Sequence, residues 1–174
     1  MVSERERMRG EYAQWKVQSV SLRDRLKLPA KHAPWTGRAN VKLRGVRASE
    51  RQRDLLDVCF EVLRRRNGNG NKPLSEVIAN SWCNVSQSVE RMPVYSGSIP
   101  TLTRNTELYS FEHDTVLSGE SHLRLLGWPQ HFCSGDFSQG ELRNLAGDSV
   151  SVPVFALLLA AMYNNPHAPW WARQ

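Results

Sequence analysis

The chain has 174 residues, of which 40% are hydrophobic and 23% charged. That is room for one ordinary domain, and the balance excludes a multi-span membrane protein and a fully disordered chain. The formal net charge of +6 is unevenly placed: residues 1–66 hold 17 Lys/Arg against 8 Asp/Glu, and residues 67–174 hold 6 against 9. The basic character, and any attraction to a polyanion that follows from it, belongs to the first third.

Residues 1–48 read as a basic, flexible arm. They carry Trp15 and Trp35 but no sustained periodicity, and KLPAKHAPWTGRANVKLRGVR contains two prolines and two glycines. The start, MVSERERMRG, lacks the apolar stretch of a secretory leader. Residues 49–66 predict a helix, with Ser49 as N-cap, Gln52 as its capping-box partner, and an apolar stripe of Leu55, Leu56, Cys59, Val62 and Leu63. Arg64, Arg65 and Arg66 fall in its last turn, where they favour the negative end of the dipole, before Asn67–Asn71 breaks the chain.

Residues 72–116 are mixed. Ile99, Leu102, Leu108, Tyr109, Phe111 and Val116 are spaced for short strands. Ser118 predicts the N-cap of a short helix over 118–127, closed by Gly127 and then Trp128-Pro129. Residues 138–145 read as another helical turn. Residues 149–163 read as the most apolar helix, capped by Asp148, Ser149 or Ser151, with Pro153 in its first turn. A run so uniformly apolar is expected to be buried on most sides. The longest apolar run, Val152 to Tyr163, is about eight residues short of the roughly 20 that cross a bilayer, so no membrane association is expected. The tail carries Pro166, Trp170 and Trp171, which are expected to pack over a surface.

Cys59, Cys83 and Cys133 are odd in number and widely spaced. That suits free thiols in a reducing compartment inside the cell, and no spacing suggests a metal site.

Three stretches together resemble a known family. Ile99-Pro100-Thr101-Leu102-Thr103 is followed by Leu108-Tyr109-Ser110-Phe111. Next comes Leu117-Ser118-Gly119-Glu120-Ser121-His122-Leu123-Arg124-Leu125-Leu126-Gly127-Trp128-Pro129, and then Leu145-Ala146-Gly147-Asp148-Ser149-Val150-Ser151-Val152-Pro153-Val154. Their order and spacing resemble the C-terminal end of a DNA (cytosine-5) methyltransferase, over roughly residues 80–163. The resemblance implies an α/β chain: an incomplete Rossmann-like C-terminal portion, a small mixed recognition segment and the basic arm. Its divisions would be 1–48, 49–116 and 117–174. It implies that Gly147, Asp148, Ser149 and Val150 flank S-adenosylmethionine at a helix N-terminus. It also implies that Arg91, Thr101, Thr103 and Arg104 contact DNA. Asp148 stands where the family has Asn and cannot donate through a side-chain N–H. Glu120 and Ser121 stand where it has an Arg-Glu pair.

Cytosine C5 methylation needs a thiolate to attack C6, a nearby acid and a flipped-out base. The family carries the thiol after a proline, and none of the three cysteines here follows one; no Gly-rich cofactor loop is present either. The expectation is therefore no catalytic residue in this chain, no activity alone, and a catalytic half supplied upstream or by a separate chain. The alternative is a non-catalytic nucleic-acid-binding or scaffold protein derived from that fold.

Overall fold

The computed structural model describes residues 4–29, 33–46, 49–67, 72–133 and 136–164. They form two compact units, residues 1–101 with 106–117 and residues 102–105 with 118–174.

The first unit contains three helices, α1 (Glu4–Arg25), α2 (Glu50–Arg66) and α3 (Leu74–Ile78), and four strands. The strands are β1 (Ser81–Asn84), β2 (Val94–Ser96), β3 (Leu108–Ser110) and β4 (Thr115–Val116). They pair antiparallel in the order β2-β1-β3-β4, with Cys83 opposite Val94 on one side and Tyr109 on the other. The mixed helix-and-strand class holds, and the described sheet is antiparallel. The spacing over 108–116 located β3 and β4. β1 and β2 were missed, because two four-residue and three-residue segments leave too few positions to show alternation.

The core of this unit lies under α2. Its apolar stripe, Leu55, Leu56, Cys59, Phe60 and Leu63, is almost wholly removed from water. Each large side chain contributes roughly 1.5–3 kcal/mol through that burial. Trp35 stacks on Phe60 at 5.5 Å and meets Phe111 at 5.2 Å and Tyr109 at 6.2 Å.

The flexible-arm expectation for residues 1–48 is corrected. Residues 4–25 are helical, and Ser19, Leu22, Arg23, Leu26 and Trp35 are buried. The reason is a polar key. Arg23 pairs with Asp54 at 2.6 Å and with Asp57 at 3.0 Å, and Ser19 donates to Asp54. Asp57 also accepts from the backbone N–H groups of Thr36 and Ala33. Burial raises the Asp57 carboxyl above its ordinary value, against the pull of those donors. Residues 42–46 are held similarly, with Lys42 and Leu43 N–H on Asp114 at 2.6 and 2.9 Å, and Arg44 bridging Thr115.

Ser49 occupies the N-cap position of α2 without a side-chain cap bond, and Gln52 is buried and bonded to Glu107 rather than closing a capping box. The three arginines are engaged within the chain: Arg64 and Arg65 on Glu61, Arg65 also on the Leu26 carbonyl, and Arg66 on the Val94 carbonyl.

The second unit holds α4 (Gly119–Leu125), α5 (Gln139–Asp148) and α6 (Val152–Tyr163). Ser118 caps α4 as its sequence predicts, accepting from Ser121 N–H. A capping box does occur, at Ser138 and Glu141 on α5. The expected burial of the apolar helix is corrected: Val154, Phe155, Leu157 and Leu158 are 49–71% exposed. Nothing in the described residues covers them. By length and composition Gln139–Met162 would pass for a membrane-crossing stretch. It is broken at 149–151, and α6 alone rises about 18 Å against a hydrocarbon core of about 30 Å. Pro166, Trp170 and Trp171 lie outside the described residues.

Candidate functional site

The three helices of the second unit are brought together by glycines where backbone meets backbone or proline. A Cβ on Gly119 would lie 2.5 Å from Leu142 Cβ and 2.6 Å from the Gln139 carbonyl, so α4 and α5 cross without room for a side chain. Gly119 N–H donates to the Gln139 side chain at 2.7 Å. Leu123, Leu142 and Ala146 fill the space between the helices. Gly127 adopts φ +85°, which ends α4, and a Cβ there would meet Pro153 at 2.6 Å. Val152 N–H donates to the Leu126 carbonyl at 2.8 Å. The Gly-Trp-Pro bend and the Ser-Val-Pro-Val start of α6, some twenty residues apart in sequence, are thus in direct contact.

Gly147 makes the tightest approach. A Cβ on it would stand 2.2 Å from Arg104 N and 2.4 Å from the Thr103 carbonyl carbon. The loop 102–105 lies across the last turn of α5, and only glycine admits it. Arg104 then reaches the Asp148 carboxylate at 2.6 Å. Asp148 ends α5, where a negative charge meets the negative end of the dipole, and Arg104 offsets that clash. The bond to Asp148 holds the Arg104 proton more firmly than usual.

The sequence placed Gly147–Val150 at the N-terminus of the last helix. The structure places Gly147 and Asp148 inside α5 and Ser149 at its C-cap, with Ser151 at the N-cap position of α6. The Ser149 hydroxyl donates to the Leu145 carbonyl at 2.6 Å, and Val150 is 60% exposed. The reason is that Ala146-Gly147-Asp148 continues the amphipathic turn begun at Leu142, so the helix runs on until its apolar face is spent.

Of the four expected DNA contacts, Thr103 and Arg104 sit beside Gly147 and Asp148. Arg91 and Thr101 belong to the other unit. Arg91 is exposed at the end of a 3-10 turn and donates to the Gln87 side chain at 3.0 Å. Thr101 is exposed.

Cys59 and Cys83 are fully buried free thiols, and burial followed by the neighbouring Cys59 pushes the Cys83 thiol well up. The side chain of Cys133 lies outside what is described. Asp114, adjacent to His113, is already occupied by Lys42 N–H, Leu43 N–H and the Tyr109 hydroxyl. His122 is buried, with Nδ1 on the Ser118 carbonyl at 2.8 Å. Among the described residues no group of His, Cys, Asp and Glu is arranged to hold a metal ion.

Sequence reading missed a cleft of about 510 Å3 in the first unit, walled by α1, α2 and residues 86–91. Trp15 was its one visible signal, a large aromatic in a stretch otherwise rich in charge. No protein-family model, curated protein or solved structure matches this chain.

Proposed function

We propose that this chain is the C-terminal part of a DNA (cytosine-5) methyltransferase-like protein, Rossmann-like in origin. In this reading it positions DNA and closes the catalytic domain supplied by a second half. The observation that carries the reading is the contact between its separate motifs. Gly127 lies on Pro153, Val152 bonds Leu126, and Gly147 admits the 103–104 backbone. Part of what resembles the family, residues 118–129 and 145–154 with 102–103, forms one packed unit here.

α6 indicates what is missing. A helix apolar on every side belongs in the interior of a larger body, and this one is exposed. The partner that suits it is a folded domain with an apolar groove, the place of the catalytic half, on the same longer chain or a separate one.

S-adenosylmethionine does not find a built pocket in residues 147–150. The approach to Gly147 is filled by residues 103–104, the Asp148 carboxylate is held by Arg104, and the Ser149 hydroxyl is spent on Leu145. In this reading the missing half holds the methyl donor, and Val150 only borders it. The buried thiols of Cys59 and Cys83 cannot meet a base and none of the three cysteines follows a proline, so in this reading the chain alone transfers no methyl group. DNA is the expected substrate, through Thr101, Thr103, Arg104 and Arg91, and the setting is the nucleus or a nucleoid.

The test is methyl transfer from labelled S-adenosylmethionine to duplex DNA, with the chain alone and mixed with a purified methyltransferase half carrying the Pro-Cys loop. Transfer only in the mixture is expected, lost when Leu157 and Leu158 are both changed to Glu. A chain that stays monomeric, melts cooperatively and is indifferent to that half would overturn the reading and favour a stand-alone scaffold.

A further inference from the structure

The cleft beside α1 is built differently from the rest of the surface. Its floor is apolar, formed by Leu55 and Val89, both buried. Trp15 forms part of the wall and is half-buried. The rest of the lining is polar: the amides of Gln14 and Gln18, the hydroxyls of Ser86 and Ser88, and the charged side chains of Arg51, Asp54, Glu90 and Arg91. At about 510 Å3 it falls within the range of small-ligand sites.

The cleft wall is fixed by internal bonds. Arg51 donates to the Gln87 and Val85 carbonyls at 2.9 and 3.0 Å, which clamps the 85–91 loop onto α2. Asp54 faces the cleft but is held by Arg23 and Ser19, so it does not act as a free negative charge. Among the charges of the lining, Glu90 and Arg91 are adjacent in sequence, while Lys16, outside the lining, lies 6.0 Å from the Trp15 ring centroid. Lys16 also approaches Glu50 at 3.7 Å.

An indole wall, an apolar floor, two primary amides, two hydroxyls and the Arg91 guanidinium at the edge suit one ligand chemistry. The ligand must have a flat aromatic face, an edge of alternating donors and acceptors, and an attached anion. We propose that this cleft binds a nucleotide unit with an unpaired base. The base stacks on Trp15, its edge is read by Gln14 and Gln18, and its phosphate faces Arg91. Glutamine amides can present a donor and an acceptor together to such an edge. The base comes either from a free mononucleotide or from an unpaired strand, and the net +9 of residues 1–66 adds attraction for the strand. The site lies wholly in the first unit and does not rest on the methyltransferase reading.

The test is fluorescence anisotropy with labelled oligo-dT and oligo-dC of ten nucleotides, competed by AMP, CMP and a blunt hairpin duplex, with no methyl donor present. Single strands are expected to bind more tightly than the hairpin. Trp15→Ala is expected to weaken them roughly 5- to 150-fold, and Trp15→Phe to restore most of that. Competition by AMP or CMP at concentrations similar to the oligonucleotide would assign the site to free nucleotides, and its absence would assign it to a strand. Gln18→Ala, on the same wall, guards against a folding artefact, and melting temperature is read for each variant. The proposal is overturned if neither probe binds, if the hairpin binds as well as the single strands, or if Trp15→Ala and Gln18→Ala melt normally and leave affinity unchanged.

Discussion

The two units are held by different means. In the first, distant segments meet through side chains: Trp35, Phe60, Tyr109 and Phe111 interlock, and Arg23 is keyed between Asp54 and Asp57. In the second, the buried apolar cluster among the described residues is small, Leu123, Leu142 and Ala146, and glycines let the elements approach at backbone distance. A side-chain core tolerates small shifts and fails when volume is lost. A backbone contact tolerates loss of side chains and fails when one atom is added.

The largest expected effect tests the first half of that contrast. Phe60→Ala empties the centre of the aromatic cluster and should cost about 3–5 kcal/mol in urea unfolding, with loss of hydrogen-exchange protection in β1 and β3. If protection falls first in α5 instead, the contrast is wrong. Gly147→Ala inverts the experiment. One added methyl group should cost about 1–3 kcal/mol, and the lost protection should map to α5 and residues 102–105. Ser118→Ala removes the cap of α4 and should cost about 1 kcal/mol, seen as fraying of the first turn by exchange.

The smallest effect is electrostatic. Burial works to raise the Glu61 carboxyl, but its hydrogen bonds with Arg64 and Arg65 outweigh that and hold it below the ordinary 4.5. A lowered folded value gives stability that is present above 4.5 and lost as the pH falls through the folded value. The gap between the native chain and Glu61→Gln in thermal melts should therefore be widest at neutral pH and close in acid. A gap that widens below pH 4.5 would show that the pair does not act this way.

Legibility followed the same division. α2 was readable because its buried stripe is long and periodic, and α4 because Ser118 and Gly127 mark its ends. α1 was not, because its buried face in the described side chains is Ser19, Leu22 and Arg23, two of them polar. Nothing local in the sequence marks Asp54 and Asp57 as buried, because the group that pairs with them, Arg23, comes from α1. Within the candidate site, the motifs gave the order and spacing of 99–103, 117–129 and 145–154, but the division at 116/117 separated residues 102–105 from the helices they join. The motifs did not predict that Gly147 receives the chain's own backbone, since nothing local records which segment fills an absent side chain. The exposure of α6 was equally invisible, because composition states what a helix needs and not whether it is supplied.

The twelve residues of α6 contain no Asp, Glu, Lys or Arg. To a cell's quality-control machinery an uncovered run of this kind marks an orphan subunit. If α6 docks on a second half as proposed, the abundance of this chain should follow the synthesis of that half rather than its own transcript. Surplus molecules would be removed by proteolysis before they accumulate.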